Sequence, residues 1–85
     1  MNFSASDAAQ TVRFTEAEMV VILRDGRSIQ VPLSWFPVLE VASPEQRERF
    51  EVSPSGNGLH WEELDEDISV AALIAGVPDL TRRVR

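Results

Sequence analysis

The chain has 85 residues, fourteen acids against eight arginines for a net charge of −6, and no lysine, cysteine or tyrosine. Disulfides, thiolate metal sites and cysteine nucleophiles are thereby excluded, and a surface of this charge repels phosphate backbones. Hydrophobic residues make up 44% of the chain, yet no apolar run nears the roughly 20 residues of a bilayer span, so one small cytoplasmic domain is expected.

Residues 1–11 are rich in Ser, Ala, Asp and Gln without periodicity and read as a flexible leader whose end joins an edge strand. Val12 and Phe14 alternate with polar neighbours, the period of a first strand. Residues 19–32 carry the clearest signal. The apolar run 19–23 and the alternating Ile29 and Val31 flank Arg24-Asp25-Gly26-Arg27. Asp-Gly is favoured in two-residue hairpin loops, where both positions take φ > 0. Such a loop sets Ile22 opposite Ile29 and Val20 opposite Val31 on one side. Ser28 and Gln30 then share the other side with Val21 and Leu23.

Pro32 ends that strand, and Ser34 is placed to cap a short helix through Val41. Trp35, Phe36 and Leu39 bring that helix an apolar face, and Pro37 falls in its first turn. Ser43-Pro44-Glu45-Gln46 spells a capping box with proline at the first helical position, opening a second helix through Arg49. Residues 50–53 and 59–61 are strand-like around Pro54-Ser55-Gly56-Asn57-Gly58, which is turn chemistry throughout, and predict a second hairpin. Residues 62–67 hold five acids in six positions ahead of the apolar run 68–75. Acids in front of a helix favour the positive end of its dipole, by about 0.3–1 kcal/mol each. Gly76 suits the left-handed position after a helix and Pro78 stops it, leaving 78–85 as a polar, basic tail. The expected fold is α+β, a single domain over 12–77. It has a small antiparallel sheet built from hairpins at about 12–32 and 50–61, with two or three short helices packed on one face.

Taken in order, Asp25-Gly26-Arg27, Val31-Pro32-Leu33, Trp35-Phe36-Pro37, Ala42, Pro44-Glu45-Gln46-Arg47, Gly58, His60-Trp61 and Leu64-Asp65-Glu66-Asp67-Ile68-Ser69-Val70 resemble the uncharacterised bacterial family called domain of unknown function 2442. The match spans about 12–76 and departs at Val38, Phe50 and Glu62, where the family often has a basic residue, tryptophan and proline. The resemblance implies a compact α+β module, often encoded beside a second small protein in an arrangement reminiscent of toxin–antitoxin pairs. Some longer members of the family that it resembles carry a DNA-binding helical extension.

Candidate chemistry is sparse. His60, the single histidine, precedes Trp61 and stands upstream of Asp65 and Asp67. A zinc site takes three or four protein ligands with nitrogen or sulfur among them. A strand-end histidine hydrogen-bonded to the turn at 65–67 needs less. The acid run lacks the central glycine and terminal glutamate of a calcium loop. Gly56-Asn57-Gly58 is followed by neither lysine nor a helix start, so it reads as a turn and not as a phosphate loop. No serine sits in a Gly-x-Ser-x-Gly elbow.

The aromatics Trp35, Phe36 and Trp61 suit a small core, and any one left on the surface would be an interface anchor. The expected function is a non-enzymatic, cofactor-free protein-binding module, antitoxin-like or accessory to a small basic protein. Its candidate contact residues are Trp35, Phe36, His60, Trp61, Glu62, Glu63, Asp65, Glu66 and Asp67. A nucleic-acid-associated regulator resting on Arg82, Arg83 and Arg85 is the alternative. A minimal metal or carboxylate enzyme using His60, Asp65 and Asp67 is the third reading. Small sheets leave edge strands to protect, which a homodimer would do.

Overall fold

The structure is a computed structural model that describes residues 7–76. Most of the expected leader (1–6) and the tail at 78–85 lie outside the described residues. Two antiparallel three-stranded sheets and three short helices make an α+β fold. The first sheet runs β1 (Ala9–Phe14), β2 (Glu18–Leu23), β3 (Ser28–Pro32), and the second β4 (Glu51–Val52), β5 (Gly58–Trp61), β6 (Glu66–Ser69). Between them lie a 3₁₀ turn at Leu33–Trp35, α1 (Pro37–Glu40) and α2 (Pro44–Arg47); α3 (Val70–Ala75) follows β6.

β1 starts at Ala9, three residues earlier than alternation from Val12 suggests. A bulge between Ala9 and Thr11 absorbs one residue, so Ala9 and Val12, which plain alternation would set on opposite faces, are both buried in the same core.

The β2–β3 hairpin forms, but in a different register from the expected one. Val21 pairs with Ile29 and Met19 with Val31. The loop has three residues, because Leu23 N donates to Arg27 O at 2.8 Å and Gly26 N to Leu23 O at 3.0 Å. Of the loop residues only Gly26 takes positive φ, at 96°. Asp25 instead accepts the Arg27 backbone N–H at 3.0 Å and the Arg27 Nε–H at 2.7 Å. That bond of an aspartate to the backbone two residues on favours an ordinary turn closed by a left-handed glycine. A shift of one residue exchanges the faces of a strand. Met19, Val21 and Leu23 therefore enter the core with Ile29 and Val31.

The expected helix over 34–41 is broken at Phe36, whose φ and ψ are −129° and 85°. Proline at 37 drives the preceding residue out of helical space, so Ser34 falls inside a 3₁₀ turn and α1 starts afresh. The Ser43 capping box forms as its spelling predicts, with Gln46 N donating to Ser43 Oγ at 3.1 Å and Ser43 N to Gln46 Oε1 at 2.9 Å.

The acid run does not sit ahead of a helix. Residues 62–65 are a turn, Glu66–Ser69 pairs with β5, and α3 begins only at Val70. Its cap is Ser69, whose hydroxyl accepts the Ala72 N–H at 3.2 Å, and its first turn holds no acid. Gly76 ends α3 at φ 77°, the left-handed stop read from the sequence.

Core-facing residues of both sheets join one cluster with Leu33, Phe36, Leu39, Val70 and Leu73. Each such side chain contributes about 1.5–3 kcal/mol on leaving water. The loop at 53–58 is pinned to the first sheet by two bonds. Ala9 N donates to Gly56 O at 2.8 Å and an Arg24 guanidinium nitrogen to Pro54 O at 3.1 Å, while Arg24 N, donating to Ala8 O at 2.8 Å, holds the start of β1 to the end of β2.

Gly56 is buried there at φ 78°, and an added Cβ would stand 2.5 Å from the Ala8 Cβ. Gly26, also at positive φ, has nothing within 4 Å of such a Cβ. Urea unfolding should show Gly26→Ala losing about 1–2 kcal/mol, the backbone cost alone, and Gly56→Ala losing clearly more through overpacking. Equal losses would mean that the contact with Ala8 carries no weight.

Candidate functional site

The second sheet has one face in the core and one in solvent. Val52, Leu59, Trp61 and Ile68 point inward. Alternation turns Glu51, Gly58, His60, Asp67 and Ser69 outward, and register aligns Glu51, His60 and Asp67 in a row across the three strands. Nδ1 of His60 and Oδ1 of Asp67 are 2.6 Å apart; with Nδ1 protonated the imidazole donates and the carboxylate accepts. Beside this row lies an open hollow of about 580 Å³, lined by residues of β4, β5, β6 and the 53–57 loop. At the end of the sheet the turn 62–65 presents Glu62, Glu63 and Asp65 to solvent. Asp65 takes φ 52°, a left-handed conformation that aspartate tolerates better than most residues.

The nine expected contact residues therefore part company. Glu62, Glu63, Asp65 and Asp67 are exposed and His60 is half-exposed; His60 and Asp67 lie on the outer face and the other three in the turn at the end of the sheet. Trp61 is 1% exposed and Phe36 2%, so neither offers a surface. Trp61 faces inward as the alternate of His60, and its indole N–H donates to Arg47 O at 2.9 Å. Glu66 is fully buried opposite Trp61, a correction to its expected place on the acidic surface. β6 alternates in and out, and Glu66 shares the inward parity of Ile68. Trp35 is half-buried in the 3₁₀ turn at the end of the first sheet, where Leu33 N donates to Ala17 O. Glu51 and the floor residues Ser53, Gly58 and Ser69 belong to the site although alternation alone did not single them out; cross-strand register is what assembles them.

Electrostatics follow from the neighbours. Asp67, by its hydrogen bond first, raises the His60 pKa above the ordinary 6.5; Glu51 and Glu62 add to this, against a smaller desolvation. Glu63 is held below the usual carboxylate value by Gln46 Nε2 at 3.2 Å and an Arg49 guanidinium nitrogen at 2.7 Å. Among the described residues no three His, Asp or Glu side chains converge as metal ligands. No described helix is long and apolar enough to cross a membrane.

A raised imidazole pKa contributes stability that is complete below the unfolded value and fades as pH rises through the folded one. An NMR titration should place His60 above 6.5 and return Asp67→Asn toward that figure. The stability difference between wild type and His60→Gln should shrink between pH about 5.5 and 8.5. An unchanged His60 pKa in Asp67→Asn would remove the cross-strand pair as its cause.

Comparison with solved structures finds the same fold. A crystal structure of a protein of unknown function from Rhodospirillum rubrum ATCC 11170 aligns with a TM-score of 0.71 at 36% identity, covering 82% of this chain and 87% of its own. The solution structure of an uncharacterized protein from Chromobacterium violaceum aligns at 0.75 with 28% identity, covering 91% of this chain and 76% of its own. No functionally curated protein matches. The family model described as "Protein of unknown function (DUF2442)" matches residues 9–79, and the chain belongs to that family.

Proposed function

We propose that the chain is a small, non-catalytic protein-binding module that accepts a basic protein through the outer face of its second sheet and the 62–65 turn. One observation supports this above the others. Among the described residues, arginines pair with Asp7, Asp25 and Glu63, while exposed Glu51, Glu62 and Asp65 carry no such partner, as is also true of Glu16, Glu40, Glu45 and Glu48. Of these acids Glu51 and Glu62 act together with Asp67 on His60. Their charge is available to a second molecule. Potentials of this kind raise encounter rates with an opposite surface and repel nucleic acid. Each exposed ion pair contributes only about 0.2–1 kcal/mol, so a complex needs several at once and weakens with salt. Masking a small basic protein in the cytoplasm, as an accessory or antitoxin-like partner, is the sharpest form of this reading.

Co-expression with the product of the adjacent gene, followed by size-exclusion chromatography, tests it. A single co-eluting species at low ionic strength, weakened by salt and by joint Glu62→Gln and Asp65→Asn replacement, is expected. Separate elution at low ionic strength would contradict it.

A further inference from the structure

We propose that the hollow on the outer face of the second sheet seats an extended, arginine-bearing segment of the basic partner, one guanidinium lying between Glu51 and Asp67 in competition with protonated His60. This rests on the protein-binding reading above and adds where the partner docks and what it must carry.

The hollow exists because of a missing side chain. Gly58 occupies an outward position on the central strand β5, opposite Ser69 of β6, with the small Ser53 as its other neighbour. A Cβ at Gly58 would meet Ser53 Oγ at 3.8 Å and Ile68 O at 3.9 Å, ordinary contacts, and its φ is not left-handed. Neither space nor backbone demands glycine there, and the opening it leaves bares the floor of the sheet. A strand interior without a side chain is a place where another backbone can approach closely. An extended segment fits such a floor, because its own side chains alternate toward and away from it.

Charge selects the segment. Every charged group that shifts His60 is a carboxylate: Asp67 from β6, Glu51 from β4 and Glu62 from the turn. A planar guanidinium, with paired N–H donors, matches carboxylates better than an ammonium does. It also meets a competitor, since protonated His60 already donates to Asp67. Deprotonation at Nε2 withdraws that positive charge while Nδ1–H still donates to Asp67, so the carboxylates of the row are left uncompensated for a second cation. Binding therefore strengthens as pH rises through the His60 titration, and by reciprocity a bound segment lowers the His60 pKa.

The probe is a blocked pentapeptide of alternating valine and arginine, titrated into the full-length ¹⁵N-labelled protein, with a glutamate-for-arginine peptide as control. Expected are amide shifts concentrated at Glu51, Val52, Gly58, His60, Asp67 and Ser69. Affinity should be about fivefold higher at pH about 8.5 than at 5.5, at the low end of coupling between sites. Gly58→Val, which fills the floor, should abolish binding; the joint replacement Glu51→Gln and Asp67→Asn, both exposed, should do the same by charge.

Equal binding by these folded variants, shifts spread evenly over all acids, or affinity indifferent to pH would overturn the proposal. If Arg82→Ser, Arg83→Ser and Arg85→Ser together moved the same amides in the free protein and tightened peptide binding, the hollow would belong to the chain's own tail, and the partner segment would be displaced. A co-expressed complex that survives Gly58→Val leaves the binding module standing and sinks the hollow. Conversely, a peptide seated in the hollow with no co-eluting partner sinks the module reading and leaves the arginine selectivity of the hollow intact.

Discussion

Trp61 is the side chain on which the two sheets meet. It lies in β5, 1% exposed, with Phe14 of the first sheet edge-on to it at 6.5 Å between ring centres and Phe50 tilted against it at 6.4 Å. Its one polar atom reaches Arg47 O at 2.9 Å. A buried indole N–H without an acceptor would cost about 1–3 kcal/mol, so α2 must sit where its last carbonyl can serve. Arg47 in turn closes the end of α1, its guanidinium donating to Leu39 O at 2.7 Å and Glu40 O at 2.8 Å. A four-residue helix is too short to hold itself in water. α1 and α2 persist because this chain of hydrogen bonds runs from the core outward through them.

The same placement decides what remains for recognition. With Trp61 turned inward, alternation turns His60 outward, and the pairings Glu51–His60 and His60–Asp67 complete the row on the outer face. Core and candidate site are thus opposite faces of one strand, fixed by a single parity. Glu63 is paired with Arg49 and Gln46, while the exposed Glu62, Asp65, Asp67 and Glu51 carry no arginine partner. Of these carboxylates Glu51 and Asp67 line the hollow itself, and Glu62 and Asp65 stand in the turn beyond Trp61.

Local signals that depend on chemistry over three or four residues were legible in the sequence: the Ser43 capping box, the left-handed stop at Gly76, the turn at 54–58 and the existence of both hairpins. Signals that depend on counting across a turn were not. Asp-Gly spells two loop types, and the bond from Asp25 to the Arg27 backbone, invisible in composition, selects the three-residue loop and with it the face of Met19, Val21 and Leu23. β6 was hidden because acids are poor strand formers, so residues 66–67 read as a helix preface. Only pairing with β5 shows that Glu66 goes in and Asp67 goes out. That His60 bonds one of the following acids was readable from residue types, but its partner Asp67 is a cross-strand neighbour in β6 and not part of a turn, and Glu51 and Gly58, distant in sequence, likewise needed the register.

Replacing Trp61 by phenylalanine tests the organising role of this residue most directly, because it keeps a ring in the core and deletes the indole N–H. Unfolding free energy should fall by roughly 1–3 kcal/mol with the loss of the bond and of volume. Hydrogen exchange should quicken first at the α1 and α2 amides of residues 40–42 and 47–49, while the first sheet stays protected. A variant as stable as the wild type, or one in which protection is lost evenly over the chain, would show that the helices are not held through Trp61 and Arg47.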